Sequence, residues 1–229
     1  MLKPWLKEEW CIPPHENAAF VSQMEVVLDV YQQVYDEQHP LVCMDECSKQ
    51  LLDDVREPLP MAPGQPQRYD SEYERNGTCN LFIAFDPTQG WRDVQVTQRR
   101  TKQDWAYFMR DLVDGHFPNA EQITVVLDNL NTHTYASLYE TFEPAEARRI
   151  ARKLVLVYTP KHGSWLNMAE IELSVLSRQC LNRRIADFDR MRQITSAWSE
   201  ARNDCGTTVD WRFTTQDARI KLKRLYPRI

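Results

Sequence analysis

The 229-residue sequence lacks the long hydrophobic runs of a membrane protein. No apolar stretch reaches the roughly 18 residues that a membrane-spanning helix requires. The first ten residues, Met-Leu-Lys-Pro-Trp-Leu-Lys-Glu-Glu-Trp, also lack the apolar core of a signal peptide. We therefore expect a cytoplasmic protein.

The six cysteines form no recognisable framework, because they are scattered and only Cys43 and Cys47 make a C-x3-C pair. A structural zinc site normally needs a second pair of ligands at suitable spacing, and none follows. Two small buried side chains on one face of a strand are the better interpretation. Internal repeats and low-complexity tracts are also missing, so the length indicates one large domain or one domain with an appendage.

The sequence has no overall positive charge, since its net charge is −5. The charge is unevenly distributed, however. Residues 1–60 contain four Lys and Arg against twelve Asp and Glu, whereas residues 178–229 contain twelve against six. The C-terminal quarter is therefore a candidate surface for a polyanion, although a solvated basic helix explains the charge equally well.

Hydrophobic periodicity predicts strands and helices in a defined order. The predicted strands cover residues 41–47, 78–85, 91–97, 123–127 and 154–158. The predicted helices cover residues 15–38, 101–117, 134–153, 166–181, 188–202 and 217–225. A break at Pro144 remains open within the helix at 134–153. Residues 48–70, rich in proline and charge, predict a long loop, and Asn76-Gly77 predicts a turn.

The order of these elements predicts an α/β fold. Three strands with tight connections form an antiparallel meander, and the next two strands follow helical crossovers. This order predicts a mixed five-stranded sheet with helices on both faces. It is the element order of the ribonuclease-H-like fold.

Two acids stand at or near the ends of apolar strands. Asp128 directly follows Ile-Thr-Val-Val-Leu, and Asp45 follows Leu-Val-Cys-Met. Open α/β folds place their chemistry at such strand ends. Other roles remain open: Asp45 could be a solvated or capping acid, and Asp128-Asn129 could open a turn. His133 could orient a phosphate or a metal-bound water, or could merely cap or pack.

A third acid lies on the last crossover helix, where Glu170 and Glu172 flank the apolar stripe on opposite sides. Glu170 shares its side with Ser174 and Ser177, which leave room for ions and DNA. Glu172 shares its side with residues typical of ordinary packing. Asn167-x-x-Glu170 also fits a capping box, so the spacing favours Glu170 only slightly.

Three acids brought together could serve as a magnesium centre. Mg²⁺ prefers hard oxygen ligands, and two such ions can stabilise both the attacking and the leaving oxygen in a phosphoryl displacement. Three carboxylates can hold two ions if one of them bridges. Without metal the same cluster is unfavourable, because close negative charges raise one another's pKa.

Three segments resemble the catalytic blocks of DDE transposases. They are Met44-Asp45-Glu46, Asp128-Asn-Leu-Asn-Thr-His133 and Thr159-Pro-Lys-His-Gly-Ser-Trp-Leu-Asn-Met-Ala-Glu170. The sequence is most similar to bacterial insertion-sequence transposases of the six-thirty family, which are related to the mariner group. Tyr73-Glu-Arg-Asn-Gly-Thr78 and the segment 211–219 also resemble that family. The similarity spans essentially residues 5–227.

The resemblance implies that Asp45, Asp128 and Glu170 bind two Mg²⁺ ions, which Mn²⁺ could replace, with Asp45 as the bridging ligand. It implies phosphodiester hydrolysis and strand transfer on DNA element ends and target DNA, by a homodimer associated with the bacterial nucleoid. Lys161 and His162 become candidate phosphate contacts. By the same resemblance Glu172 is no ligand, so we expect Glu172→Gln to remain active.

The resemblance also suggests a division of the chain. Related transposases carry an N-terminal helix-turn-helix region, whereas residues 1–40 offer only a linker and one helix before the catalytic domain, 41–229. In the basic C-terminal tail, the candidate DNA contacts are Lys221, Lys223 and Arg224. Two alternatives remain: a nuclease of the same fold without strand transfer, and a truncated, non-catalytic regulator of a full-length transposase.

Overall fold

The computed structural model describes residues 12–228, so the N-terminal segment tested for a signal peptide lies outside the described residues. The strands are β1 (Leu41–Asp54), β2 (Tyr73–Asp86), β3 (Trp91–Thr97), β4 (Ile123–Leu127) and β5 (Leu154–Tyr158). The helices are α1 (Ala18–Tyr31), α2 (Lys102–Asp111), α3 (Tyr135–Thr141), α4 (Pro144–Lys153), α5 (Met168–Leu176), α6 (Phe188–Asp204) and α7 (Thr215–Lys221). Single π-helical turns extend α2 and α5, and short 3-10 turns occupy Ser164–Leu166 and Lys223–Leu225.

The strands form one sheet in the order β3-β2-β1-β4-β5. The pairs β1–β2 and β2–β3 are antiparallel, whereas β1–β4 and β4–β5 are parallel. The predicted mixed five-stranded sheet is therefore confirmed. Parallel β4 and β5 end at the same edge of the sheet, where their carboxyl-terminal loops meet.

Helices cover both faces of the sheet. One face packs against α1, α5, α6 and α7, and the other against α2, α3 and α4. Along β1 the fully buried side chains alternate between these cores, with Cys43 in the first and Val42 and Met44 in the second. Burial on both faces explains why the strand sequences are apolar without alternation. Within residues 12–228 no helix is long and apolar enough to cross a membrane.

The hairpin of β1 and β2 is longer than the sequence predicted. Residues 48–54, predicted as loop, continue β1 and pair with the start of β2. The predicted turn at Asn76-Gly77 is wrong, since both residues lie inside β2. The register shifts opposite them, and Gly77 has φ +99°, so the glycine permits a β-bulge instead.

The first helix ends earlier than predicted. The helix predicted for residues 15–38 ends at Tyr31, and Val34 beyond it is 91% exposed. Beyond the helix, the Asp36 side chain accepts a hydrogen bond from the backbone of Gln38 and turns the chain toward β1. The break considered at Pro144 within the helix predicted for residues 134–153 is confirmed, because Pro144 lacks an N–H and opens α4.

Side chains from helices cover both lateral edges of the sheet. At the β3 edge, the Asn203 amide accepts from the backbone N–H of Arg92 and donates to its carbonyl, both at 2.8 Å. At the β5 edge, the Tyr135 hydroxyl donates to the Leu154 carbonyl at 2.9 Å. The Gln23 amide donates to the Tyr158 carbonyl at 2.6 Å. These bonds satisfy backbone groups that an edge strand would otherwise leave unpaired.

The C-terminal segment folds back onto α1. Arg219 forms a bidentate pair with Glu25, both bonds 2.8 Å long, and the Tyr226 hydroxyl donates to the same carboxylate. Ala218 and Leu225 are fully buried in the core beside α1. The basic tail is therefore a packed part of the fold.

Candidate metal centre

Asp45 and Asp128 lie on neighbouring parallel strands. Cys43 is paired with Val126, and continuing that register by two residues sets Asp45 opposite Asp128, one residue beyond β4. Paired strands are about 4.8 Å apart, so the backbones of the two acids are close. The fold thus brings together two acids that are far apart in sequence.

The pKa of Asp45 is raised above its ordinary value. Burial is the largest cause of its rise, which a hydrogen bond from the Glu46 N–H opposes. The negative charges of Glu170, Asp128 and Glu46 add to the rise, and the pKa reaches about 7. The charges of both other predicted acids therefore act on the Asp45 carboxyl group.

Glu170 is exposed on the first turn of α5, and the N-cap of that helix ties it to β1. The buried side chain of Asn167 accepts from the Ala169 N–H at 3.1 Å and donates to the Met44 carbonyl at 2.9 Å. Glu170 is thereby held near the strand position of Asp45. The reciprocal bond of a capping box, which Asp104 makes in α2, is not part of the described α5 cap.

Glu172 lies on the opposite side of α5 and is only 1% exposed. Its carboxylate accepts from Arg202 at 2.7 and 3.2 Å and lies 2.9 Å from Nε of Arg92. This side of α5 is buried as expected, but Glu172 packs there as part of a buried ion cluster with two arginines. It joins α5 to α6 and β3, so its replacement is a poor neutral control.

His133 lies between two carboxylates. Its Nδ1 is 2.7 Å from Oδ1 of Asp128, and its Nε2 is 3.1 Å from Oε2 of Glu46, an ion contact without well-directed hydrogen-bond geometry. The side chains of His133 and Glu46 are at most 2% exposed. The His133 ring also packs on Trp105, with ring centroids 5.8 Å apart.

The charge of His133 follows from these neighbours. Burial alone would lower its pKa, but the contacts with Asp128 and Glu46 raise the pKa to about 9. Burial would raise the pKa of Asp128, yet the bond with His133 holds it below its ordinary value. A charged imidazolium therefore keeps Asp128 ionised and oriented.

The sequence carried a signal for Glu46 that the strand-end argument did not use. Side chains alternate along a strand, so Glu46 must face opposite to Asp45, into the core beneath α2. A carboxylate on a buried face needs a partner. His133 fills that need, although 87 residues separate the two in the chain.

Lys161 and His162 lie exposed in the loop from β5 to α5. This loop starts at the edge where Asp128 stands, because the Thr159 N–H donates to the Leu127 carbonyl and the Asn129 amide donates to the Thr159 carbonyl. The loop leads directly to Glu170. Both predicted phosphate contacts therefore lie on a segment that adjoins the candidate centre.

Lys221, Lys223 and Arg224 are exposed on the C-terminal segment. Lys221 lies 3.8 Å from the Asp217 carboxylate and over the ring of Phe213. No described contact in residues 12–228 joins these three cations to the three acids.

The donor set suits a hard divalent cation. Within residues 12–228 no three His, Cys, Asp or Glu side chains are grouped closely enough to hold an ion as they stand. The carboxylates nevertheless repel one another, as the raised pKa of Asp45 shows. A bound cation would relieve that repulsion, and carboxylate oxygens are the ligands that Mg²⁺ prefers.

Comparisons with known proteins agree with the fold. The Mos1 mariner paired-end complex with Mn is 16% identical to this chain, with a TM-score of 0.55 over 88% of this chain and 62% of that one. The Mos1 strand transfer complex is 14% identical, with a TM-score of 0.57 over 88% of this chain and 61% of that one. The chain therefore spans about three fifths of the length of these Mos1 chains, and identities this low establish the ribonuclease-H-like fold alone.

No curated protein matches the chain. The family model described as DDE superfamily endonuclease matches residues 40–192. This region is more than half of the 229 residues and contains Asp45, Asp128 and Glu170. The chain therefore belongs to the DDE superfamily endonucleases.

Proposed function

We propose that this chain is the catalytic part of a DNA transposase, in which Asp45, Asp128 and Glu170 bind two Mg²⁺ ions. The observation that carries the proposal is that Asp128 and Glu170, from separate segments, both act electrostatically on the partly buried Asp45. The family match and the fold shared with Mos1 support it. Mn²⁺ would replace Mg²⁺.

Divalent ions at this position would supply the positive charge that stabilises the attacking and leaving oxygens of a phosphodiester. The chain's own residues orient the ligands. His133 holds the Asp128 carboxylate, and Asn167 fixes the start of α5 against β1 so that Glu170 stands near Asp45. Lys161 and His162 would contact the phosphates beside the centre.

The proposed substrates are the ends of an insertion element and the target DNA. The proposed order of reactions is hydrolysis at the element end, followed by attack of the freed 3′-hydroxyl on the target strand. A homodimer on DNA in the bacterial cytoplasm, at the nucleoid, would bring two ends together. The neighbouring structures are Mos1 paired-end and strand-transfer complexes, which supports a DNA partner.

Substitution of the three acids tests the metal centre. Asp45→Asn, Asp128→Asn and Glu170→Gln should each reduce Mn²⁺-dependent nicking of DNA at least about 100-fold, because each removes a metal ligand. Nicking of a labelled duplex is measured beside thermal unfolding, which shows that each variant is folded.

The matched control is Glu200→Gln, which removes an exposed acid from α6. This variant should nick as the wild type does. Nicking that survives in Asp45→Asn or Asp128→Asn would refute the proposed centre.

A second assay separates a transposase from a nuclease of the same fold. A pre-cut element end is incubated with circular target DNA and Mn²⁺, and joined product is scored on a gel. The proposal predicts joined product. Cleavage without joining would instead favour the nuclease, and DNA binding without either reaction would favour the regulator.

A further inference from the structure

The four basic residues of α4 divide into two pairs with different surroundings. Arg149 forms a bidentate pair with Asp114 at 2.6 and 2.8 Å, and Lys153 donates to the Pro118 carbonyl at 2.7 Å. Arg148 and Arg152 are exposed and make no hydrogen bond or ion pair with any residue in 12–228. Only one pair therefore serves the protein's own packing.

The positive charges of Arg148 and Arg152 lie close together on one face of α4. Residues four apart on a helix share a face and lie about 6 Å apart along the axis. Like charges at this spacing repel each other. A basic residue in the last turn of a helix is favoured by the helix dipole, which accounts for Arg152 but not for Arg148 in the middle of α4.

The two arginines line an open groove of about 360 Å³ together with Tyr135 and Tyr139 of α3. The tyrosine side chains are four residues apart on one face of α3, and the residues are 39% and 46% exposed. Tyr135 is fixed in place, because its hydroxyl bonds the edge of β5. The groove thus combines two tyrosine rings with two guanidinium groups that have no partner among residues 12–228.

The groove lies away from the candidate metal centre. Gln122, which precedes β4, and Leu154, which begins β5, both line it. Asp128 follows the other end of β4, and a five-residue strand is about 17 Å long. An occupant of the groove is therefore distinct from the phosphodiester at the three acids.

We propose that this α3–α4 groove binds the phosphate backbone of duplex DNA outside the reacting phosphodiester. The inference rests on the proposed function in one respect, that DNA is the substrate. Guanidinium groups pair with phosphates, and phosphate contacts position a duplex without reading its sequence. The groove would hold the flank of a bound duplex, or a second duplex, against the side of the sheet.

The test compares two double variants of one helix that remove the same charge. Arg148→Gln with Arg152→Gln empties the groove of cations, whereas Arg149→Gln with Lys153→Gln removes the cations that are bonded to the protein. Fluorescence anisotropy gives the affinity for a duplex of about 40 base pairs in EDTA, over about 50 to 200 mM salt. Thermal unfolding confirms that both proteins are folded.

The groove variant should bind the duplex about tenfold more weakly than wild type at about 100 mM salt. The slope of the logarithm of the DNA association constant against the logarithm of the salt concentration should be less steep by about 1.8. The control variant should change affinity less than about twofold. Equal losses in both variants, or no loss in either, would overturn the proposal.

Hydrogen exchange on the unmodified protein gives an independent measurement. Duplex DNA should slow exchange in residues 135–153, and unchanged exchange there would also overturn the proposal. Both assays omit divalent ions, so their outcome is separate from cleavage. If the groove variant binds normally while wild type nicks DNA, the groove fails and the proposed function stands. If wild type never nicks DNA, the proposed function fails and the groove is judged by binding alone.

Discussion

The buried imidazolium of His133 sets the charge balance around Asp128. Its two nitrogens contact carboxylates from two strands, and only one of these, Asp128, is a proposed metal ligand. Hydrogen-bonded partners of metal ligands restrict the ligand's orientation and tune its charge. His133 therefore acts on the centre through Asp128, whereas Glu46 acts through His133 and through its charge near Asp45.

Replacing His133 should weaken metal binding. His133→Gln should lower the affinity for Mn²⁺ about tenfold or more, because the Asp128 carboxylate loses the partner that orients it. Isothermal titration calorimetry measures this without any reaction. Glu46→Gln should weaken binding in the same direction but less, since Glu46 contacts His133 and makes no described contact with Asp128. Unaltered Mn²⁺ affinity in a folded His133→Gln protein would contradict this role.

The raised pKa of Asp45 makes stability depend on pH. Because it rises from 3.8 to about 7 on folding, the folded chain binds more protons than the unfolded chain between those values. The free energy of unfolding in EDTA should therefore decrease as pH rises from about 5 to about 7. Thermal unfolding at both pH values should show a smaller decrease for Asp45→Asn than for wild type. An equal decrease in both proteins would show that Asp45 is not its source.

Single residues also mark what could be predicted from the sequence. The position of Asp128 directly after a strand is visible in the sequence, because an apolar run precedes it. Asp45 also follows an apolar run, but it lies inside β1, which continues to Asp54. Spacing favoured Glu170 over Glu172 only slightly, since both flank the same apolar stripe. The structure distinguishes them through Arg92 and Arg202, which come from distant segments.

At the scale of elements, α5 connects the candidate centre to the rest of the fold. One side presents Glu170, and the other is anchored by the buried cluster of Glu172, Arg92 and Arg202. Removing one partner from a buried ion cluster leaves charges without compensation. The two glutamates therefore differ in what they support, although they are two residues apart.

Two substitutions on α5 should differ in their effect on the stability of the fold. Glu172→Gln should reduce the free energy of unfolding by about 3 kcal/mol or more, because two arginines lose their counter-charge. Glu170→Gln should change it by no more than about 0.5 kcal/mol, as expected for an exposed residue. Urea unfolding measures both. Equal stability of the two variants would show that the cluster does not anchor α5.

Element boundaries show where local signals were insufficient. Residues 48–54 belong to β1 because they pair with β2, and their partners begin only at residue 73. No pattern within residues 48–54 predicts pairing with a strand that begins at residue 73. Asn76-Gly77 has turn chemistry, but the same positive φ serves a bulge inside a strand. Pro144, by contrast, ends one helix and begins the next through its own covalent structure.

At the scale of the whole molecule, the acidic chain carries its basic residues on separate surfaces. Arg219 pairs with Glu25 of α1, whereas Lys221, Lys223 and Arg224 remain exposed on the same C-terminal segment. The predicted tail is therefore part structural and part available for phosphates. Charge counts along the sequence could not make this division, because it depends on docking against α1.

Neutralising the exposed part of this segment should weaken DNA binding without changing specificity. Replacing Lys221, Lys223 and Arg224 with Gln should reduce affinity for all duplexes alike and make the salt dependence less steep by up to about 2.7. Anisotropy with an element-end duplex and a scrambled duplex of equal length measures both effects. A loss confined to one of the two duplexes would contradict a backbone contact.

The side chains that cover the edges of the sheet affect how copies of this protein can associate. Backbone groups to which an incoming chain would pair already have hydrogen-bond partners, from Asn203 at the β3 edge and from Tyr135 and Gln23 at the β5 edge. Joining two molecules through a continuous intermolecular sheet would first require these bonds to break. Dimers formed on DNA should therefore meet through helices and loops, and concentrated protein should resist edge-to-edge aggregation.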